Sequence, residues 1–169
     1  MKKLFLLIFL GLFLSGCGLT LPPSVNSNVA NQNTNAPPSD PPPTLNNKLN
    51  LSNQNLTKIP EYVFDRTNLQ ELDVSNNNLT GAIQAEIRKL RNLKVLKASN
   101  NQMTGVPAEI GQLSQLEMLD LSNNQLTGLP YELGNLKNLK TFNISGNNYS
   151  ELDLSIIQQG LPADVNIIK

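Results

Sequence analysis

Apolar residues two apart recur along most of the chain: Leu49/Leu51, Leu72/Val74, Leu96/Ala98, Leu119/Leu121, Phe142/Ile144 and Val165/Ile167. Such alternation marks a half-buried strand. The first members follow one another at intervals of 23, 24, 23, 23 and 23 residues, an internal repeat. After each of the first five strands comes a polar turn carrying Gln54, Asn77, Asn101, Asn124 or Asn147 at one fixed offset. Two residues on, Leu56, Leu79, Met103, Leu126 or Tyr149 brings the chain back inward. The return leg carries Ile59-Pro60, Val106-Pro107 and Leu129-Pro130, then residues such as Ile110, Leu113, Leu133 and Leu136 at helix-like or irregular spacing. One unit of this size cannot bury its apolar edge. Stacked units can, so the pattern predicts a solenoid with one short parallel strand per unit on its concave side.

The stretch Leu116-Glu117-Met118-Leu119-Asp120-Leu121-Ser122-Asn123-Asn124-Gln125-Leu126 reads L-x-x-L-x-L-x-x-N-x-L. In this it resembles the leucine-rich repeat family, over residues 46–169. The stretches that start Leu79-Thr80-Gly81-Ala82-Ile83 and Met103-Thr104-Gly105-Val106-Pro107 are similar to the L-T-G-x-I-P-x-E-I form of the repeat. Gln84 stands where that form has proline, Gln54 replaces the turn asparagine, and the second unit carries one extra residue. The resemblance implies an α/β solenoid: five repeats, a short curved parallel sheet on the concave face, and a closing helix and strand. Ser150-Glu151-Leu152-Asp153 reads as a capping box opening a helix through Gln159, which Gly160 and Pro162 stop. The strand around Val165 and Ile167 then seals the core, with no further domain expected after it.

The first 45 residues have another character. Met1-Lys2-Lys3 and the apolar run 4–14 form a secretory signal, too short for a spanning helix of about 20 residues. Leu14-Ser15-Gly16-Cys17 resembles the lipobox of bacterial lipoproteins. That resemblance implies a signal peptide over 1–16, cleavage before Cys17 and acylation of Cys17 as the membrane anchor. An ordinary secretory signal and an uncleaved anchor are the alternatives. Residues 17–45 hold seven prolines and a single charged residue, Asp40, which predicts a disordered tether. The expected location is the cell envelope. Gly18 in place of Asp favours the outer membrane of a Gram-negative cell, otherwise the outer face of the cytoplasmic membrane.

Charge and composition remove several functions. Lys+Arg and Asp+Glu both number 13, with no basic cluster for nucleic acid. There is no His, and the single Cys cannot form an internal disulfide. No phosphate loop or metal-ligand cluster appears, so no enzyme, catalytic residue, metal or cofactor is expected.

Candidate chemistry therefore lies on the outward strand positions. One column is Lys48, Glu71, Val95, Met118, Thr141 and Asp164; the next is Asn50, Asp73, Lys97, Asp120, Asn143 and Asn166. Serines fill a third, too uniformly to encode a partner. Lys97 is expected between Asp73 and Asp120, either as a solvated ladder or as part of a recognition site. In the family the turn residues, here Gln54, Asn77, Asn101, Asn124 and Asn147, face inward and satisfy neighbouring coils. The expectation is a monomeric, membrane-held binding module for a protein, or for a glycan, of unknown identity. The alternative is an envelope structural protein with no dedicated ligand.

Overall fold

The computed structural model describes residues 46–169; Cys17, the signal 1–16 and the tether 17–45 lie outside the described residues. Strands β1 (Lys48–Asn50), β2 (Glu71–Asp73), β4 (Val95–Lys97), β6 (Met118–Asp120), β7 (Thr141–Asn143) and β8 (Asn166–Ile168) form one six-stranded sheet in that order. Every pairing is parallel. Each strand centre points inward: Leu72, Leu96, Leu119 and Phe142 are wholly buried, and so are Val74, Ala98, Leu121 and Ile144 two residues later. The repeat thus folds as a solenoid with one contiguous core.

Past the strands the chain must turn sharply. Asn53, Asn76, Asn100 and Asn123 take positive φ, between 53° and 60°, and Gly146 takes +68°. Asparagine enters this left-handed region more readily than other side-chain residues, and glycine does so freely. The return legs are 3₁₀ helices at Glu61–Asp65, Ala85–Lys89, Ala108–Gln112 and Tyr131–Asn135. Pro60, Pro107 and Pro130 precede three of them in extended conformation. Gln84 adopts the same backbone and donates its amide to Ile59 O at 2.6 Å, tying its coil to the one before. The extra residue of the second unit falls where Gly81 has φ +68°, beside a small parallel pair of β3 (Thr80–Gly81) with β5 (Gln102–Met103).

The last unit carries the expected closing helix, α1 (Glu151–Gly160), ten residues long, but its cap and the strand after it depart from expectation. Ser150 accepts a hydrogen bond from Asp153 N at 3.2 Å, but the Asp153 carboxylate turns to Leu129 N and the Tyr131 hydroxyl. Only half of the capping box forms. The longer leg slides the final strand by two residues: Ile167, not Val165, pairs with Phe142. A two-residue slip preserves the faces but shifts the columns. Asn166 therefore stands beside Thr141, Ile168 stands beside Asn143, and Asp164 sits exposed in the turn before β8.

Candidate binding face

The turn asparagines form a buried ladder. Asn124 donates to Ala98 O of the preceding coil and Leu121 O of its own, both at 3.0 Å, and accepts from Met103 N at 3.1 Å. Asn77, Asn101 and Asn147 repeat this bridge. Main-chain groups in a tight turn have no strand to pair with, and a primary amide supplies both donor and acceptor. Gln54 is not part of the ladder. It is exposed in the first coil, and its contribution is the main-chain N–H that donates to Asn77. These residues belong to the scaffold.

So does much of the column expected to recognise a ligand. Asp73 Oδ1 accepts from both the N–H and the hydroxyl of Ser75, and Asp120 does the same for Ser122. Asn143 serves Ser145 identically, and Asn50 accepts from Ser52 N. Each closes its own strand end, an Asx turn. The signal was present in the sequence as Asp or Asn two residues before Ser in four of the five repeats, Lys97 standing in the other.

Lys97 stands between Asp73 and Asp120 in the strand register, but its ammonium pairs with neither. Its Nζ lies 3.4 Å from Glu71 Oε1, while Lys48 reaches Glu71 Oε2 at 2.8 Å. The triad is the inverse of the expected one: a carboxylate between two lysines. The hydrogen bond from Lys48 leads in holding the Glu71 pKa below its ordinary value, against a smaller desolvation effect, and Lys97 adds to it. A second cluster escaped the sequence reasoning because it lies one residue ahead of the strands. Glu117 accepts from Lys140 at 2.6 Å, which lowers its pKa, with a weaker contribution from Lys94.

The face left for contact is therefore the amino-terminal half of the strands. Val95, Met118 and Thr141 are half-buried neighbours at its centre, flanked by Lys94, Lys97, Glu117 and Lys140. Away from it, a hollow of about 360 Å³ between the first two return legs is lined by Lys58, Glu61, Asp65, Glu86 and Lys89 among others. Among the described residues no helix is long and apolar enough to cross a membrane, and no acidic, His or Cys group could hold a metal.

Comparisons with known proteins bear on this geometry. The profile of a leucine-rich repeat region matches residues 47–159. No curated protein matches. Among solved structures, a leucine-rich repeat protein of Leptospira interrogans is 41% identical with a TM-score of 0.62, over 67% of this chain and 28% of that one. The ectodomain of the receptor kinase SOBIR1 from Arabidopsis thaliana is 31% identical with a TM-score of 0.57, over 72% of this chain and 67% of that one. The plant peptide hormone receptor RGFR1, in complex with RGF2, is 36% identical with a TM-score of 0.58, over 71% and 21%. The chain thus spans about a quarter of the length of the Leptospira protein.

Proposed function

We propose, starting from the fact that this chain belongs to the leucine-rich repeat family, that it is a binding module held at the cell envelope, with a protein as its ligand. The observation that carries this reading is the division of labour on the sheet. The asparagine ladder and the Asx turns serve the fold, whereas Val95, Met118, Lys94 and Lys140 stand on the same face without that duty. An apolar centre rimmed by charged groups is the usual anatomy of a modest protein interface. The similar structure of RGFR1 is that of a plant peptide hormone receptor in complex with RGF2, which supports a protein over a glycan.

Anchoring belongs to the same proposal. Cys17 carries the acyl chains after cleavage of 1–16, residues 17–45 hold the domain off the lipid surface, and no nucleic acid is bound. Stable attachment needs more than one chain, since one gives only marginal membrane affinity. Mass spectrometry of the mature amino terminus should find acylated Cys17; a free thiol or an intact signal would overturn the anchor.

The test of binding is capture from envelope extracts with the full-length chain. A saturable protein partner should be retained by wild type, lost from K97E/M118E, and retained by R91E, which alters an exposed position off the sheet. A partner indifferent to K97E/M118E would contradict the assignment. A captured glycan with no protein would change the ligand class.

A further inference from the structure

Charge on the sheet alternates strand by strand. Counting the outward positions and the residue just ahead of them, β1 carries Lys48, β2 Glu71 and Asp73, β4 Lys94 and Lys97, β6 Glu117 and Asp120, and β7 Lys140. Ion pairs within the chain explain part of this, since opposite neighbours suit an in-register sheet. They do not use all of it. Lys94 is exposed and makes no ion pair among the described residues, and Asp120 spends Oδ1 on Ser122.

We propose that this face is self-complementary and joins two copies of the chain face to face, about a two-fold axis running along the strands between β4 and β6. A two-fold contact brings residue i onto j and j onto i. With the axis there, β4 of one copy lies over β6 of the other. Lys94 meets Glu117 of the other copy, Lys97 meets Asp120, and Val95 meets Met118, each pair occurring twice. Further out, Glu71 meets Thr141, Asp73 meets Asn143, Gln70 meets Lys140 and Lys48 meets Asn166. No column brings like charges together, and the two Val95–Met118 pairs lie on either side of the axis.

Two other arrangements are worse. A two-fold axis across the strands lays each strand over its own copy, so lysines face lysines on β4 and carboxylates face carboxylates on β2 and β6. An axis between β2 and β4 sets Val95 on Glu71 and Met118 on Lys48. Spacing also selects a second copy as the occupant. Another sheet of this kind repeats every 4.7–4.9 Å, about the step from one sign of charge to the next, so it stays in register across the whole face. An extended peptide, at about 3.3 Å per residue, does not. Association of this kind covers the ligand face, so ligand and second copy compete.

Two differently tagged full-length chains, co-expressed and solubilised in detergent, test the proposal by co-capture. Wild type should capture wild type, with recovery falling as salt is raised. K94E and E117K should each reduce self-capture at least tenfold, because each places like charges opposite one another. K94E mixed with E117K should recover the signal: the carboxylate introduced in one copy faces the ammonium introduced in the other, and the reciprocal pair remains Lys94 with Glu117. Absence of wild-type capture, indifference to both substitutions, or a mixture no better than either variant would each overturn the proposal. Loss of self-capture alongside a partner sensitive to K97E/M118E would leave the binding function standing and remove only the dimer.

Discussion

At the scale of single residues, a side chain's type tells less than the groups around it. Asn77, Asn101, Asn124 and Asn147 were legible as scaffold through the resemblance to the repeat family, whereas Gln54, at the same offset, stays outside the ladder. Asn124→Ala leaves Met103 N without its partner, while Ala98 O and Leu121 O each lose one of two amide donors and keep those of Asn101 and Asn147. It should cost about 1–3 kcal/mol of stability, measured by urea unfolding. A midpoint equal to wild type would contradict the ladder. The duty of Asp73 and Asp120 was hidden for a related reason. An outward carboxylate looks the same in sequence whether it meets a ligand or its own Ser two residues on. The test is Ser122→Ala, which should lower stability without weakening partner capture. Glu71 supplies a pH dependence. Its folded pKa lies below its ordinary value, so its contribution is present above roughly pH 4.3, the unperturbed range. It is lost as pH falls through the folded value. The stability gap between wild type and E71Q should accordingly shrink from pH 7 to pH 3; a gap unchanged by acid would show that Lys48 and Lys97 do not stabilise that carboxylate.

At the scale of elements, the strands were legible and the return legs only partly so. Period-2 alternation fixes which residues face inward, and the six strands pair in sequence order. Five-residue 3₁₀ helices leave too short an apolar pattern to separate them from irregular chain. The last strand is displaced because a ten-residue helix and a five-residue leg return the chain at different points, and the even slip keeps an apolar residue against Phe142. Packing of these legs is tight where glycine permits it. A Cβ on Gly111 would run into the Glu132 carbonyl and lie 2.8 Å from Glu132 Cβ, whereas one on Gly105 meets nothing nearer than Ala82 at 4.0 Å. Gly111→Ala should therefore destabilise by about 1–3 kcal/mol through overpacking. Gly105→Ala should stay within about 0.5 kcal/mol, as for surface changes generally. Thermal melts of the two variants compare them directly; equal melting temperatures would mean that the legs have more room than the structure gives them.

At the scale of the whole molecule, the stack turns a one-dimensional repeat into a surface. Neighbouring coils hold each outward residue about one strand spacing from its counterpart, so the order of units in sequence becomes the order of charges on the face. The two columns of that face were legible over the first five strands. Which of their residues remain free was not, because that depends on bonds to serines and lysines that no periodicity reports. The central claim is that the sheet face receives the ligand. Its most direct measurement is photo-crosslinking in the envelope with a photoreactive residue at Met118, compared with one at exposed Tyr131 on the return-leg side. The account predicts a discrete crosslinked protein from position 118, suppressed by Lys97→Glu, and none from position 131. A discrete product from 131 with nothing at 118 would contradict it.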